Sequence, residues 1–185
     1  MQHGIAAQLR HTPEKTRVVS HYVGGAFGSK GAITPRTAVI ALAARRLNRP
    51  VKLVATRDQG FTLATHRAET RHHVRLAATR DGAFTAYLHD ADEVSSGADI
   101  CAVSGTDVTT RLYAVPNIAS HATVRQADRD TPGFMRAPAE VPDVFALECA
   151  VDEHALALGM GPVDLRRAND AKSIRSAASR SAVVR

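Results

Sequence analysis

Apolar and polar positions alternate with two different periods along this chain, and the changes of period mark its expected elements. Met1–Arg10 carries Ile5, Ala6 and Leu9 at the spacing of a short helix, and His11-Thr-Pro-Glu-Lys15 breaks it with Pro13. Arg17–Val23 alternates and is rich in β-branched residues, which predicts a strand running into the cluster Gly24-Gly-Ala-Phe-Gly-Ser-Lys30. Thr34 and Pro35 then suit a helix start, with Thr34 as the capping residue. Val39, Leu42, Ala43 and Leu47 form an apolar stripe, and Asn48-Arg49-Pro50 ends the helix. Val51–Thr56 predicts a short buried strand, so the order strand, glycine loop, helix, strand predicts a crossover unit.

The second half reads differently. His72–Thr79 and Ala83–His89 flank Arg80-Asp81-Gly82, a hairpin signal because Asp-Gly tolerates positive φ. Asp92–Asp107 is polar and small, which predicts a loop; Arg111–Ile118 holds Tyr113 and a Val115-Pro116-Asn117 turn; His121–Gln126 alternates as another strand. Asp130–Gly133 predicts a turn, and Arg136-Ala-Pro138 a constrained extended segment. Pro142 opens the strongest helix, whose stripe of Val144, Leu147, Val151, Ala155 and Leu158 runs to Gly159. Pro162–Arg166 starts another short helix, and Ala171–Arg185 has no clear period, which predicts disorder. The expected class is a mixed sheet with flanking helices, α+β or α/β.

Composition narrows the function classes. The 185 residues suffice for one domain or a piece of a larger one, and 44% apolar content suffices for a core. Aromatics make up only 4% and Trp is absent, so Val, Ala and Leu must do most of the packing. Cys101 and Cys149 are far apart without a C-x-x-C pairing, which argues against a disulfide framework and a cysteine-held metal centre. The net charge of +6 is concentrated at the end, where Lys172, Arg175, Arg180 and Arg185 have no acid among them. No nucleic-acid motif accompanies it, so no nucleic-acid partner is expected. Met1–Arg10 lacks a basic segment followed by an apolar run, and no stretch approaches the roughly 18 apolar residues of a membrane span. The expectation is a soluble chain without an export signal of its own and without a membrane partner.

Two segments can carry chemistry. Glycines between a strand and a helix let backbone N–H groups approach a ligand, and the following helix N-terminus favours an anion. The spacing of Gly24–Lys30 matches neither G-x-x-x-x-G-K-[ST] nor G-x-G-x-x-G. An ordinary tight loop accounts for the same glycines, but Phe27 within it asks for something to pack on. In Phe134-Met-Arg136-Ala-Pro-Ala-Glu140, Arg136 sits in a stiff backbone before a helix, able to hold an anionic or carbonyl ligand, cap carbonyls or pair with Glu140. The histidines His21, His66, His72 and His73 do not form a metal motif: His72 and His73 point to opposite faces of a strand. Glu148, Asp152 and Glu153 read as the solvated face of their helix.

Taken in order, these segments resemble one family. Val23-Gly-Gly-Ala-Phe-Gly-Ser-Lys30 is similar to the G-G-G-F-G-[GS]-K loop of molybdenum hydroxylases, and Arg136-Ala-Pro-Ala-Glu-Val-Pro-Asp-Val-Phe-Ala-Leu-Glu148 resembles their R-x-P/F-G-x-x-x-x-x-F-A-x-E segment. Ala150-Val-Asp-Glu153, Leu158-Gly-Met-Gly-Pro-Val-Asp-Leu-Arg166 and Asn169 follow as in the family. Arg49–Leu53, Arg57-Asp58, His66-Arg67 and Tyr113–Asn117 occur between them in the family's order. The resemblance, covering about Gln2–Asp170, is to the molybdenum-cofactor-binding large subunit of the xanthine dehydrogenase/aldehyde oxidase family, nearest the periplasmic-type aldehyde oxidoreductases.

That resemblance implies residues 1–170 as part of a molybdopterin-binding domain and residues 171–185 as a divergent tail. It implies a molybdopterin cofactor with molybdenum, often as the cytosine dinucleotide, contacted by Gly24, Gly25, Ala26, Phe27, Gly28 and Arg136. The protein supplies no direct metal ligand. The implied reaction is oxidation of an aldehyde or N-heterocycle with water as oxygen source, electrons leaving through a [2Fe–2S] subunit and a FAD subunit. Departures bear on this. Ala26 replaces the third glycine; Gly31 stands where xanthine-oxidising members carry Glu, and Pro138 where they carry a stacking Phe, so an aldehyde is the expected substrate. The family's catalytic glutamate lies in a G-x-G-E segment outside this chain, and a cofactor-contacting Gln lies upstream of it. The expectation is therefore a fragment with no catalytic residue and no activity alone, cytoplasmic or carried to the periplasm by a partner. A non-catalytic interaction domain or a gene remnant is the rival reading.

Overall fold

The computed structural model describes residues 1–31, 33–103 and 105–171. The chain divides into two compact units, Met1–His66 with Gly133–Met135, and Arg67–Pro132 with the chain from Arg136 onward. The tail expected to be disordered lies, apart from Ala171, outside the described residues.

In the first unit α1 spans Gln2–Gln8, α2 Pro35–Leu47 and α3 Arg57–Leu63. Ile5 and Ala6 are buried on α1, and the Gln2 amide anchors it by donating to the Pro13 and Thr16 carbonyls at 2.9 Å each. Helix α2 has the expected limits: Thr34 is extended, and Asn48 closes the helix in the left-handed conformation at φ 49°. The expected cap is a matter of backbone only, since the Thr34 side chain makes no capping bond. The apolar stripe of α2 is not buried; Val39 and Leu47 are about 60% exposed, and Ala38 is the buried residue.

Two expected strands do not form. Residues 17–23 and 51–56 are irregular, with Val19, Val23, Leu53 and Val54 all more than half exposed. A strand exists only through a ladder partner that takes its N–H and C=O groups. Among the described residues neither segment joins the sheet, so the crossover unit is absent. Helix α3 was not foreseen, although Thr56 and Gln59 make a full capping box: the Thr56 hydroxyl accepts from Gln59 N at 3.3 Å, and Gln59 Oε1 from Thr56 N at 3.0 Å.

The second unit is a three-stranded mixed sheet. Strands β1 (Thr70–Ala78) and β2 (Phe84–Ser96) form the expected hairpin, with Gly82 at φ 89° in its turn. Strand β3 (Asn117–Ala127) lies parallel to β2, and the short helix α4 (Thr106–Thr109) falls in the crossover that a parallel pair requires. The loop expected at Asp92–Asp107 is corrected: β2 continues through Ser96. Its inward residues past Tyr87 are His89, Ala91, Glu93 and Ser95, mostly polar, which hid the strand from a hydrophobic pattern. Helix α5 (Glu140–Leu158) starts two residues before Pro142, and α6 spans Pro162–Ala168. Leu147, Val151 and Ala155 of α5 pack with Phe84, Tyr87 and Leu165 into a closed core, and Gly159 ends α5 at φ 67°.

The family-like residues near the end of the chain serve this core. Buried Asn169 accepts from Phe84 N and donates to the Gly82 and Leu165 carbonyls, each at 2.8 Å. Arg166 reaches Glu148 at 2.7 Å and Asp152 at 2.6 Å, and the Tyr113 hydroxyl donates to Glu148 at 2.8 Å. Glu148 and Asp152 are thus ion-paired to α6, not simply a solvated face. Burial, then the bond to Glu148, raises the Tyr113 phenol well above its ordinary range. Among the described residues no helix is long and apolar enough to cross a membrane.

Candidate functional site

The glycine loop belongs to the first unit, and its glycines differ in purpose. A side chain on Gly28 would put a Cβ 2.6 Å from the Phe134 carbonyl oxygen and 3.1 Å from Met135 N. Gly28 also adopts φ 93°, which L side chains rarely reach, so both sterics and backbone demand glycine there. The loop therefore seats its backbone on residues 134–135 of the second candidate segment. That segment is fixed in turn by Thr65, whose hydroxyl donates to the Phe134 carbonyl at 3.3 Å, and by a bond from Gly133 N to the His66 carbonyl at 3.0 Å.

Gly25 has another neighbour, the Phe27 ring, which a Cβ would meet at 2.6 Å. The ring folds back over the loop while remaining 62% exposed. Phe27 takes φ 48°, an unfavourable value for a side-chain-bearing residue. Nothing lies within 4 Å of a Cβ at Gly24, so the loop opens outward there. Turn bonds from Ser29 N to Ala26 O and Gly31 N to Gly28 O close the loop into the single turn Ser29–Gly31.

Arg136 belongs to the second unit. It was expected in an extended segment, but Arg136 and Ala137 both lie in the left-handed region, at φ 33° and 53°. The reason is Arg67: its guanidinium donates to the carbonyls of Arg136, Ala137 and Pro138 at 2.8, 2.9 and 3.0 Å. Two left-handed residues without glycine cost roughly 1–2 kcal/mol each, and three bonds from a charged donor offset this. Arg67 thus shapes the chain entering α5. In the sequence only the resemblance singles out Arg67, beside His66.

A separate group of titratable side chains lies inside the second unit. His72 of β1, His89 of β2 and Asp143 of α5 each offer a ligand atom within 4.8 Å of the others. His72 points inward and His73 outward, as expected, but the partners of His72 are His89 and Asp143 and not the neighbouring histidines. His89 is fully buried, and desolvation, then the nearby His72, lowers its pKa to about 4. Burial raises the pKa of Asp143. No local motif announces such a trio, because its members come from three elements.

Comparison with known proteins places almost the whole chain in one family. The model of the molybdopterin cofactor-binding domain matches residues 1–170. The aldehyde oxidoreductase molybdenum-binding subunit PaoC of Escherichia coli (strain K12) is 37% identical over 170 residues, 90% of this chain and 22% of that protein. The gamma subunit of the 6-hydroxypseudooxynicotine dehydrogenase complex of Paenarthrobacter nicotinovorans is 28% identical over 174 residues, 89% and 22% of the two chains. The crystal structure of quinoline 2-oxidoreductase from Pseudomonas putida 86 superposes with a TM-score of 0.84 at 26% identity, covering 91% of this chain and 22% of that one. The chain thus spans about a fifth of the length of the relatives it matches.

Proposed function

Because the chain belongs to the molybdopterin cofactor-binding domain family, we propose that it supplies one section of the cofactor cradle of an aldehyde-oxidising molybdenum hydroxylase. The observation that carries the reading is Gly28. Its backbone is pressed on Phe134 and Met135 so closely that no side chain fits, while the loop is open at Gly24. A loop held from behind and open in front suits a ligand with oxo and phosphate oxygens, because backbone N–H groups satisfy such oxygens without adding titrating groups. We assign contacts to Gly24, Gly25, Ala26, Phe27 and Gly28 on this ground. Arg136 is assigned on the resemblance, with its backbone posture set by Arg67.

When bound, molybdopterin supplies the two-electron oxidation of the substrate carbon; the residues named here bind and orient it. The cytosine dinucleotide form, an aldehyde or N-heterocycle substrate, and electron acceptance by [2Fe–2S] and FAD subunits complete the proposal. On the resemblance, Gly31 and Pro138 stand where xanthine-oxidising members carry Glu and Phe, which favours an aldehyde. The site of action in this reading is the cytoplasm, or the periplasm if a partner carries the export signal.

The test is a chimera in which residues 1–170 replace the matching stretch of the E. coli molybdenum-binding subunit. It is expected to retain molybdenum, and Gly28→Val to lower the bound metal about tenfold or more, as an overpacking cost of 1–3 kcal/mol implies. The isolated chain is expected to keep no stoichiometric molybdenum and to oxidise no aldehyde. A Gly28→Val chimera with a full molybdenum complement would overturn the reading.

A further inference from the structure

His89 is hydrogen-bonded through both ring nitrogens, and two residues clustered with it, His72 and Asp143, each keep a buried polar atom without a partner. Thr109 Oγ1 donates to the Thr106 carbonyl at 3.0 Å, so its hydrogen is committed, and it meets His89 Nδ1 at 3.2 Å as an acceptor. With its proton on Nδ1, shared between Thr109 and the Tyr87 oxygen 2.8 Å away, His89 turns an Nε2 lone pair toward β1, the tautomer in which it can serve as a ligand. In that tautomer His72 Nδ1, 3.0 Å from His89 Nε2, carries the bridging proton, which leaves a lone pair on His72 Nε2. Among the described residues, His72 Nε2, Asp143 Oδ1 and His154 Nε2 are buried without a hydrogen-bond partner, and the first two belong to the trio. The other oxygen of Asp143, itself 1% exposed, accepts from Gly105 N at 3.1 Å.

Buried polar atoms are nearly always paired, and two orphans in one cluster point to one missing partner. With that proton placement both orphans are electron-pair donors, and one cation satisfies the two at once. We propose that His72, His89 and Asp143 form a binding site for one divalent transition-metal ion of the zinc class. His72 Nε2 and Asp143 Oδ1 supply two ligands. His89 Nε2 supplies the third once the His72 ring turns from it, and water takes the fourth position. Two imidazoles and one carboxylate are a donor set that borderline cations prefer to calcium or magnesium. The contacts of His89 Nδ1 with Thr109 and Tyr87 resemble the outer partners that orient a ligating histidine. The ion would join β1, β2 and the first turn of α5, all within the second unit, independently of the molybdopterin reading.

The experiment uses the full chain, stripped with chelator and dialysed against micromolar zinc chloride, with bound metal measured by elemental analysis. One zinc per chain is expected. His72→Gln and Asp143→Asn should each weaken binding by at least ~100-fold, beyond the loss typical of an outer partner. His73→Gln, on the opposite exposed face, should bind as the parent does and so controls for surface histidines. Circular dichroism checks that each variant folds. Should a variant not fold, cobalt substitution in the parent chain decides, since a bound cobalt ion gives a ligand-field spectrum with nitrogen and oxygen donors. A parent chain that takes up no zinc and gives no cobalt spectrum overturns the proposal. Binding that survives both His72→Gln and Asp143→Asn overturns it as well; the trio is then bridged by water.

Discussion

Single residues in this chain show which constraints are written locally and which are not. Gly28 was legible because glycine is the residue that accepts both a left-handed φ and a carbonyl against its Cα. The posture of Arg136 and Ala137 was not, because it depends on the Arg67 guanidinium, 69 residues away along the chain. Proline at 138 suggested an extended residue before it; three charge-assisted bonds outweighed that preference. The cysteines separate at the same scale. Cys101 is half-buried, and burial, then the Glu93 and Asp99 carboxylates, raises its pKa, whereas Cys149 is exposed on α5. Alkylation proceeds through the thiolate, so Cys149 is expected to react with iodoacetamide several-fold faster than Cys101 near neutral pH. Peptide mass spectrometry over a time course reads this directly, and equal rates would contradict the described environment of Cys101.

Elements were legible where their own residues settle the matter. Helix α5 needs only its stripe and Gly159, and the hairpin needs only Asp81-Gly82 between alternating runs. Residues 17–23 and 51–56 have strand composition, yet composition provides no ladder partner, and they remain irregular. The far half of β2 failed in the opposite sense: its buried face carries His89, Glu93 and Ser95, so its period is polar. The join between α6 and the hairpin turn rests on Asn169, which was read in the sequence as a family-like position without a physical role. Asn169→Ala strands the buried N–H of Phe84 and removes two further bonds. Each unsatisfied buried group costs about 1–3 kcal/mol, so a loss near 3 kcal/mol is expected. Urea unfolding measures it, and a change below about 1 kcal/mol would mean that this join does not hold α6.

At the scale of the molecule, the two units differ in how much apolar surface they can close. The second encloses Phe84, Tyr87, Leu147, Val151, Ala155 and Leu165 between sheet and helix. The first, among its described residues, buries only Ile5, Ala6 and Ala38 as apolar side chains, while Tyr22, Val54 and Phe61 are more than 70% exposed. Burial contributes roughly 25 cal/mol per Å² of apolar surface, so three small or medium side chains offset little of the entropy of ordering some sixty residues. Local opening of the first unit should therefore need much less free energy than opening of the second. Hydrogen exchange at neutral pH is expected to empty the amides of α1, α2 and α3 well before those of β1, β2 and α5. The same exposed side chains, with Phe145 and Leu156 on α5, form surface that soluble monomers seldom leave open. A chain spanning about a fifth of its relatives' length should accordingly self-associate when isolated. Sedimentation velocity over a concentration series tests this: a single monomeric boundary at the highest concentration, with equal protection in both units, would overturn both expectations.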